Sequence, residues 1–292
     1  MPRLIARLIL PLLIFLAALT GGVAQARPAI WIVRDADSTI VIFGSIHVLP
    51  AGVDWRSPDL DAAIAGADDL WFETPMDPIS QGQVSRLAYE KGQLKRGRHL
   101  SELLSPVGRE RLARLVARFG LWAPDLDKME PWLADVTLTL AALERQGAGG
   151  SLGVEQQIEQ LAPAKAQRRA FETGAQQVDF FHRLPLREQA VSLEQTLQEL
   201  DTEPDAYRTM VDAWMAGDLS VLQRYGDERL KAVSPLLYKR LITERNERWT
   251  GMIMRRLAGH GATVMVVGAG HLVGPDGVPA RLRALGVTVE GP

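Results

Sequence analysis

Two short apolar runs, one near each end of the chain, stop at a glycine that is followed three residues later by a histidine. The first run ends at Gly44 and leads to His47, and the second ends at Gly268 and leads to His271. Continuous β-branched runs of this length are typical of buried strands. A strand that ends in Gly-x-x-His carries an imidazole to the edge of a sheet on a tight turn. The pattern predicts that the two imidazoles meet at one site.

The pattern around the first run predicts a hairpin, a helix and a further strand. Residues 29–33 and 39–43 are β-rich and flank a polar turn, which indicates a hairpin. A capping serine followed by proline at residues 57–58 predicts a helix start, and the next apolar run ends at Glu73. A right-handed crossover through this helix would make the strands before His47 and Glu73 parallel neighbours. We therefore expect both side chains at the same sheet edge.

Helical periodicity dominates the middle of the chain, from residue 76 to residue 259. A glycine-rich break at 147–150 is its clearest linker. Because both Gly-x-x-His strands lie in the ends, the predicted fold is α/β (α+β), with a mixed β-sheet core built from residues 27–75 and 260–292. The helical middle is then a large insertion that caps the core, within one domain.

The first 26 residues have the pattern of a signal peptide. Arg3 and Arg7 precede an apolar run at 8–19, and a small-x-small motif ends at Ala26. The alternative is a membrane anchor, which needs about 20 apolar residues, and this run is shorter. We expect cleavage after Ala26, a periplasmic or secreted protein, and no transmembrane span in the mature chain.

Composition narrows the chemistry that the chain can use. The 292 residues are 47% hydrophobic and 23% charged, with a net charge of −2, so nothing indicates a nucleic-acid partner. The absence of cysteine excludes disulfides, a thiol nucleophile and thiolate metal sites. A metal site would have to use histidine, carboxylates and water.

His47, His271 and Glu73 form the strongest chemical pattern in the sequence. Two histidines and one carboxylate leave coordination positions open for water, as in catalytic zinc or manganese sites. A metal ion there would lower the pKa of its bound water and produce a nucleophile near neutral pH. The plainer interpretation is that both glycines only end strands and the histidines are incidental.

The other candidates carry weaker signals. Arg245 lies within a predicted helix, where it either pairs at the surface with Glu244 or Glu247 or acts as a fixed cation that stabilises an oxyanion. The three remaining histidines are interpreted as solvated or packing residues: His99, His182 and His260.

Taken together, these residues resemble the TraB/PrgY/GumN family, which includes the Tiki-type metalloproteases, over residues 31–289. Besides Glu73, the resemblance rests on the motifs at 43–50, 153–158, 171–173, 176–177, 214–218, 244–246 and 267–274. This chain departs from the family in two places. The family often has aspartate where Glu155 stands and an acidic residue where Asn246 stands, which leaves the role of Asn246 open.

The resemblance implies a fold shared with the erythromycin-esterase and ChaN-like proteins, and in Tiki members a divalent-metal-dependent peptidase activity. Carried over by position, it implies a centre of His47, Glu73 and His271 with Arg245 nearby. It adds as binding positions Gly44, Gly268, Gly270, Asn246 and Glu155.

The first functional hypothesis is an exported, metal-dependent hydrolase, specifically a peptidase. His47 and His271 would bind Mn, Co or Zn, Glu73 would complete the coordination or act as general base, and Arg245 would stabilise the oxyanion. The first alternative is a metal-independent His/Glu hydrolase of esterase type. The second is a non-catalytic protein that binds a metal, haem or a peptide. The expected partner is a peptide or small-molecule substrate, and the oligomeric state is not predicted.

Overall fold

The computed structural model describes residues 27–292, and the predicted signal peptide with its cleavage after Ala26 lies outside the described residues. Within residues 27–292 the chain forms eight strands: β1 Ile30–Arg34, β2 Ser38–Ser45, β3 Leu49–Pro50, β4 Asp69–Phe72, β5 Ala148–Gly149, β6 Gln167–Ala170, β7 Gly261–Gly268 and β8 Val289–Glu290. Six of them form one sheet in the order β6-β4-β7-β2-β1-β8, and β3 pairs with β5 in a second, small sheet.

The large sheet is mixed, as the sequence predicts, but the order of its strands differs in one respect. Four of its six strands, β6, β4, β7 and β2, are parallel to one another. The other two, β1 and β8, extend the sheet beyond β2 with antiparallel pairs. The expectation that β2 and β4 are neighbours is wrong, because β7 lies between them. Val264 of β7 pairs with Val41 on one side and Leu70 on the other. Residues 263–267 are buried without interruption, which suits a strand covered on both faces.

The helices surround this sheet and fill the middle of the chain. They are α1 Pro58–Gly66, α2 Pro78–Lys91, α3 Pro106–Phe119, α4 Ala123–Leu126, α5 Pro131–Arg145, α6 Val154–Leu161, α7 Gly174–His182, α8 Leu186–Thr202, α9 Ala206–Ala216, α10 Leu219–Gln223, α11 Arg229–Val233, α12 Pro235–Tyr238, α13 Glu244–Leu257 and α14 Val278–Ala284. Serine caps start several of them. Ser57 and Ser105 each accept a hydrogen bond from a backbone N–H of the first turn, directly before a proline.

The predicted architecture is confirmed: both chain ends build a mixed sheet, and the helical middle is inserted between them. The middle also contributes a strand, since β6 pairs with β4 at the sheet edge. The helical pattern at the end of this middle part is interrupted, because a π-helical turn at Lys239–Thr243 separates α12 from α13. A second π-helical turn, Arg224–Glu228, separates α10 from α11.

The glycine-rich segment predicted as a linker does more than connect two helices. Ala148 and Gly149 pair with Pro50 and Leu49, which follow the His47 turn. The backbone N–H and C=O groups of the two segments form hydrogen bonds with each other. A pairing between residues this far apart cannot be predicted from the local sequence. The pairing ties the helical middle to the chain directly after His47.

Three apolar cores hold these layers together. One face of the sheet packs against α1 and α6 through Leu60 and Ile158, and the other packs against α13 and α14 through Trp249 and Leu282. The helical middle has its own core around Leu193. In the described part of the chain, no helix has the length and apolar composition that a bilayer span needs.

An aromatic cluster attaches α9 to the end of β2. The rings of Phe43 and Trp55 are stacked at 5.5 Å, and Trp214 closes the cluster at 6.2 Å from Phe43. The indole Nε1–H of Trp214 donates to the carbonyl of Gly44 at 2.8 Å. This contact holds the Gly-x-x-His turn against the helical middle.

We expect Trp214→Phe to destabilise the fold by about 2 kcal/mol, because it leaves the Gly44 carbonyl buried without a donor and opens a small cavity. Urea unfolding followed by fluorescence measures the change. Trp122→Phe is the matched control, since Trp122 is 69% exposed and its replacement should leave the midpoint unchanged. Equal midpoints for both variants would contradict the proposed anchoring role.

Candidate functional site

Three parallel strands end at the same edge of the sheet and place the predicted site residues together. His47 follows β2, Glu73 follows β4, and the 3-10 turn Ala269–His271 follows β7. The backbone N–H of Gly268 donates to Glu73 Oε1 at 2.8 Å, and His271 Nε2 lies 3.8 Å from the same oxygen. The three side chains therefore lie at one edge of the sheet, as the strand ends in the sequence predict.

His47 is paired with Glu155. Its Nδ1 lies 2.6 Å from Glu155 Oε1, and Ser45 Oγ donates to that same buried oxygen. The Glu155 carboxylate raises the pKa of His47 to about 9, against the effect of burial, which lowers it. The side chain of His47 is still 62% exposed, toward the crevice described below.

A close approach of α6 to the His47 turn makes this pair. Val154 N–H donates to the Ile46 carbonyl at 3.2 Å, and a Cβ at Gly153 would overlap the His47 carbonyl. Glycine at this position therefore lets the first turn of α6, with Glu155, reach the imidazole.

Glu73 is buried and accepts three hydrogen bonds. Besides Gly268 N–H, its donors are Arg245 Nη2 at 2.5 Å and Gln177 Nε2 at 3.1 Å. Burial favours the neutral acid, but Arg245 and the two histidines outweigh it and hold the pKa of Glu73 well below its usual range. Glu73 is a carboxylate throughout the physiological pH range.

Arg245 is buried in α13 and joins two carboxylates. Its Nε bonds to both oxygens of Glu172 at 3.0 and 3.1 Å, while its Nη2 reaches Glu73. The guanidinium also lies 4.6 Å from the ring centroid of Trp249. The surface pairing considered from sequence is thus replaced by an internal one, and Arg245 is held away from the crevice surface.

His271 is buried as a neutral imidazole. Its Nδ1–H donates to Asn246 Oδ1 at 2.7 Å, which leaves Nε2 to accept from Arg245 Nη1 at 2.8 Å. Burial, helped by the charges of Arg245 and His47, lowers the pKa of His271 to about 3 against the opposing charge of Glu73. Asn246 thereby acquires a role, because it selects the tautomer of His271.

These contacts do not fit a three-ligand metal centre. The Nε2 lone pair of His271 faces Arg245, and both oxygens of Glu73 already accept hydrogen bonds. Residues 27–292 contain no group of three His, Cys, Asp or Glu side chains arranged to hold a metal ion. The Mn, Co or Zn ion expected from the sequence stays a prediction.

Gly268 lies between the side chains of His47 and Glu73. A Cβ on this residue would lie 3.2 Å from Glu73 Oε1 and 3.4 Å from His47 Nε2. Both contacts are tighter than a side chain normally makes, so glycine allows the imidazole and the carboxylate to approach the same turn. Gly44 has a packing role instead, because its Cβ would lie only 3.3 Å from Ala269.

A crevice of about 1180 Å³ opens onto this position. His47 and the Gly268–Gly270 turn lie on its sheet side, and residues of the helical middle form the facing wall, among them Phe119, Leu140, Leu143, Tyr207 and Arg229. The inserted helices therefore cover the sheet edge that carries the site.

The motifs that carry the resemblance contain several further residues of the site for which no role was predicted: Ser45, Gly153, Glu172 and Gln177. The position of Glu172 is a sequence signal, since it follows β6 as Glu73 follows β4. The segments after these two strands stay paired, because Glu172 N–H donates to the Glu73 carbonyl at 2.9 Å. Two of the histidines set aside from sequence bond within the helical middle, His99 with Asp127 and His182 with Glu130.

Sequence comparison agrees with the resemblance stated from the motifs. The chain matches the model of the TraB/PrgY/gumN family over residues 29–291 and belongs to that family. It has no significant match among curated proteins or among solved structures.

The Glu155–His47 pair predicts a measurable titration. NMR of the His47 ring should report a pKa of about 9. In Glu155→Gln that pKa should fall toward the ordinary value of about 6.5, because the carboxylate that stabilises the imidazolium is gone. Glu130→Gln removes the partner of His182 and should leave His47 unchanged. A His47 pKa that stays above about 8 in Glu155→Gln would contradict the pairing.

The ion cluster predicts a large stability difference between two arginines of α13. Arg245→Met leaves Glu73 and Glu172 buried without their cation and should cost about 3–5 kcal/mol at neutral pH. Arg248→Met is the control, since Arg248 also bonds Glu172 but its side chain is 45% exposed, and it should cost under about 1 kcal/mol. Chemical denaturation measures both, and similar costs would refute the assignment.

Proposed function

We propose that this member of the TraB/PrgY/gumN family is a hydrolase of esters or amides that uses a protein-activated water. The observation that carries the proposal is that His47 Nε2 and Glu73 Oε1 both lie within 3.4 Å of one point beside Gly268, at the wall of the crevice. A water that bridges these two atoms would touch a base and a carboxylate and face the crevice. Those are the requirements for general-base hydrolysis.

His47 is the proposed base. Its Nε2 lies beside Gly268, on the side of Glu73, and Glu155 holds Nδ1 so that the ring orientation and the protonated nitrogen are defined. The proton taken from water is held on an imidazolium that the Glu155 charge stabilises, and His47 then gives it to the leaving alcohol or amine as the carbonyl bond to that group breaks. Ser45 bonds Glu155 rather than the imidazole, so its role is to position the carboxylate and not to act as a nucleophile.

Glu73 is proposed to orient the water and to stabilise the imidazolium. Its carboxylate is fixed by Arg245 and Gln177, and Arg245 is fixed in turn by Glu172. The cluster therefore acts as a preorganised support beneath the reacting atoms.

Backbone donors for the oxyanion are available at the same turn. The first N–H groups of a short helical turn have no partner within it. In this chain those groups belong to Ala269 and Gly270, which line the crevice beside Gly268. We assign the oxyanion to them, because Arg245 is buried and committed to other partners.

The crevice supports a peptide or an extended small molecule as the substrate. Its volume of about 1180 Å³ exceeds the roughly 300–1,000 Å³ usual for small-ligand pockets. The signal-peptide pattern of residues 1–26 supports an exported enzyme that meets such a substrate in the periplasm or outside the cell.

A panel of chromogenic esters and peptides, incubated with residues 27–292, tests the proposal. We expect turnover that His47→Ala and Glu73→Gln each reduce by about 10²–10⁴-fold. Turnover should rise with pH up to about 9, where His47 loses its proton, and in Glu155→Gln the rise should occur at lower pH. His99→Ala is the control and should retain full activity. Full activity in His47→Ala would refute the mechanism.

The same panel separates the two alternatives. Activity that a chelator abolishes and Mn²⁺, Co²⁺ or Zn²⁺ restores would favour the metal-dependent peptidase, for which the convergence of His47 and Glu73 on one point speaks. That outcome would require His271 to leave Arg245. Saturable binding of a panel member without product would favour a binding protein.

A further inference from the structure

A second carboxylate, outside the cluster described above, is buried beside the crevice. Asp227 lies in the π-helical turn between α10 and α11 and is only 5% exposed. Its neighbours Tyr225 and Gly226 line the crevice. The Oδ2 atom of Asp227 is buried and has no hydrogen-bond partner among the residues that the structure describes. Buried carboxylate atoms without a partner are rare, and a bound ligand or ion is one of the groups that can satisfy them.

The surroundings of Asp227 supply negative charge in excess. Asp276 acts on it with like charge, although Asp276 itself is satisfied by Tyr238 and Arg281 at 3.1 Å each. Lys231 acts on Asp227 from a distance, with its ammonium 5.2 Å from the ring centroid of Tyr238. Burial and Asp276 together raise the pKa of Asp227 to about 7. A buried charge in this state costs stability until a cation or donor reaches it.

Gly270 lies between the crevice and this carboxylate. A Cβ on Gly270 would lie 3.5 Å from Asp227 Oδ1, and within 4 Å it would meet no other atom of residues 27–292 apart from its two neighbours in the chain. Gly270 itself lines the crevice. Glycine therefore leaves an opening beside Oδ1 that a side chain would fill. Gly268 lies beside Glu73 two residues earlier, and the two glycine Cα atoms are at most about 7 Å apart, so one small molecule can reach both positions.

We propose that Asp227 is a substrate-binding residue that receives a primary ammonium group through the opening at Gly270. An ammonium supplies the missing positive charge and up to three hydrogen-bond donors, whereas a hydroxyl supplies one donor and no charge. The inference rests on the proposed hydrolase and names its substrate class: esters or peptides with an amino group a few bonds from the scissile carbonyl.

The π-helical turn explains how the carboxylate is presented. The extra residue of a π turn shifts side chains relative to an α-helix, and such turns occur frequently at functional sites. The turn also buries the Asp227 carboxylate, whose Oδ2 has no hydrogen-bond partner within residues 27–292. Asp227→Asn should accordingly fold normally and melt at a higher temperature than the wild-type protein, since it removes an unpaired buried charge.

Calorimetric titration with two matched probes, hexylammonium chloride and 1-hexanol, tests the proposal at pH 8 on residues 27–292. The probes share an apolar chain and differ in the ammonium. We expect the wild-type protein to bind hexylammonium at least about tenfold more tightly than hexanol, the difference that one charge-assisted hydrogen bond supplies. Asp227→Asn should abolish that preference. Gly270→Ala should weaken hexylammonium binding while the charge of Asp227 stays in place.

Asp205→Asn is the matched control, because Asp205 lies in the crevice wall but is exposed, and it should retain the preference. Equal affinity of the two probes for the wild-type protein, or a preference that survives Asp227→Asn, would overturn the proposal.

The titrations are repeated in His47→Ala, which separates this inference from the proposed function. Binding of the probes needs no turnover. If no ester or peptide is hydrolysed but Asp227→Asn still abolishes the preference, the hydrolase proposal fails and the ammonium site remains.

Discussion

The guanidinium of Arg245 is the group on which the site depends. It is the shared cation of two buried carboxylates, Glu73 and Glu172, and a donor to His271. Burying Glu73, Glu172 and His271 away from water is costly. The planar guanidinium, with its five N–H donors, satisfies all three together. The same contacts that make the burial tolerable also fix which groups are charged. Glu73 stays ionised, and His271 stays neutral because a second cation beside Arg245 would be unfavourable.

The fold around this cluster could be predicted in outline because strands buried on both faces carry a strong apolar signal. The runs before Gly44 and Gly268 and the strand before Glu73 were all found in this way. Their order was not, since β2, β4 and β7 have similar compositions and any of them could be central. Pairing partners are chosen by the whole set of contacts, and a contact across more than two hundred residues leaves no local trace. The pairing of β3 with β5 was missed for the same reason.

Site residues that come directly after strands could be predicted from the sequence, and those that lie on helices less so. His47, Glu73 and His271 come directly after strands, and parallel strands end at a common edge. Arg245 was ambiguous because its acidic neighbours suggest local pairing. Its phase in α13 argues otherwise, since Trp249 and Ile253 follow at intervals of four residues and are buried on the same face. The links from Glu155 to His47 and from Glu172 to Arg245 depend on how helix and sheet dock, which the sequence does not state locally.

The contrast between Glu73 and Asp227 shows what the glycine turn after β7 does. Both carboxylates lie behind a glycine of that turn, and both are more than nine-tenths buried. Glu73 has its cation within the protein, so its charge is available for orienting water and is not available for binding a cationic ligand. Asp227 has no hydrogen-bond partner for its buried oxygen within residues 27–292, so its charge is left for a ligand to neutralise. The fold builds a guanidinium cluster for one carboxylate and leaves the other unpaired a few ångströms along the same turn, and in the proposed mechanism this separates the reacting position from the one that recognises the substrate.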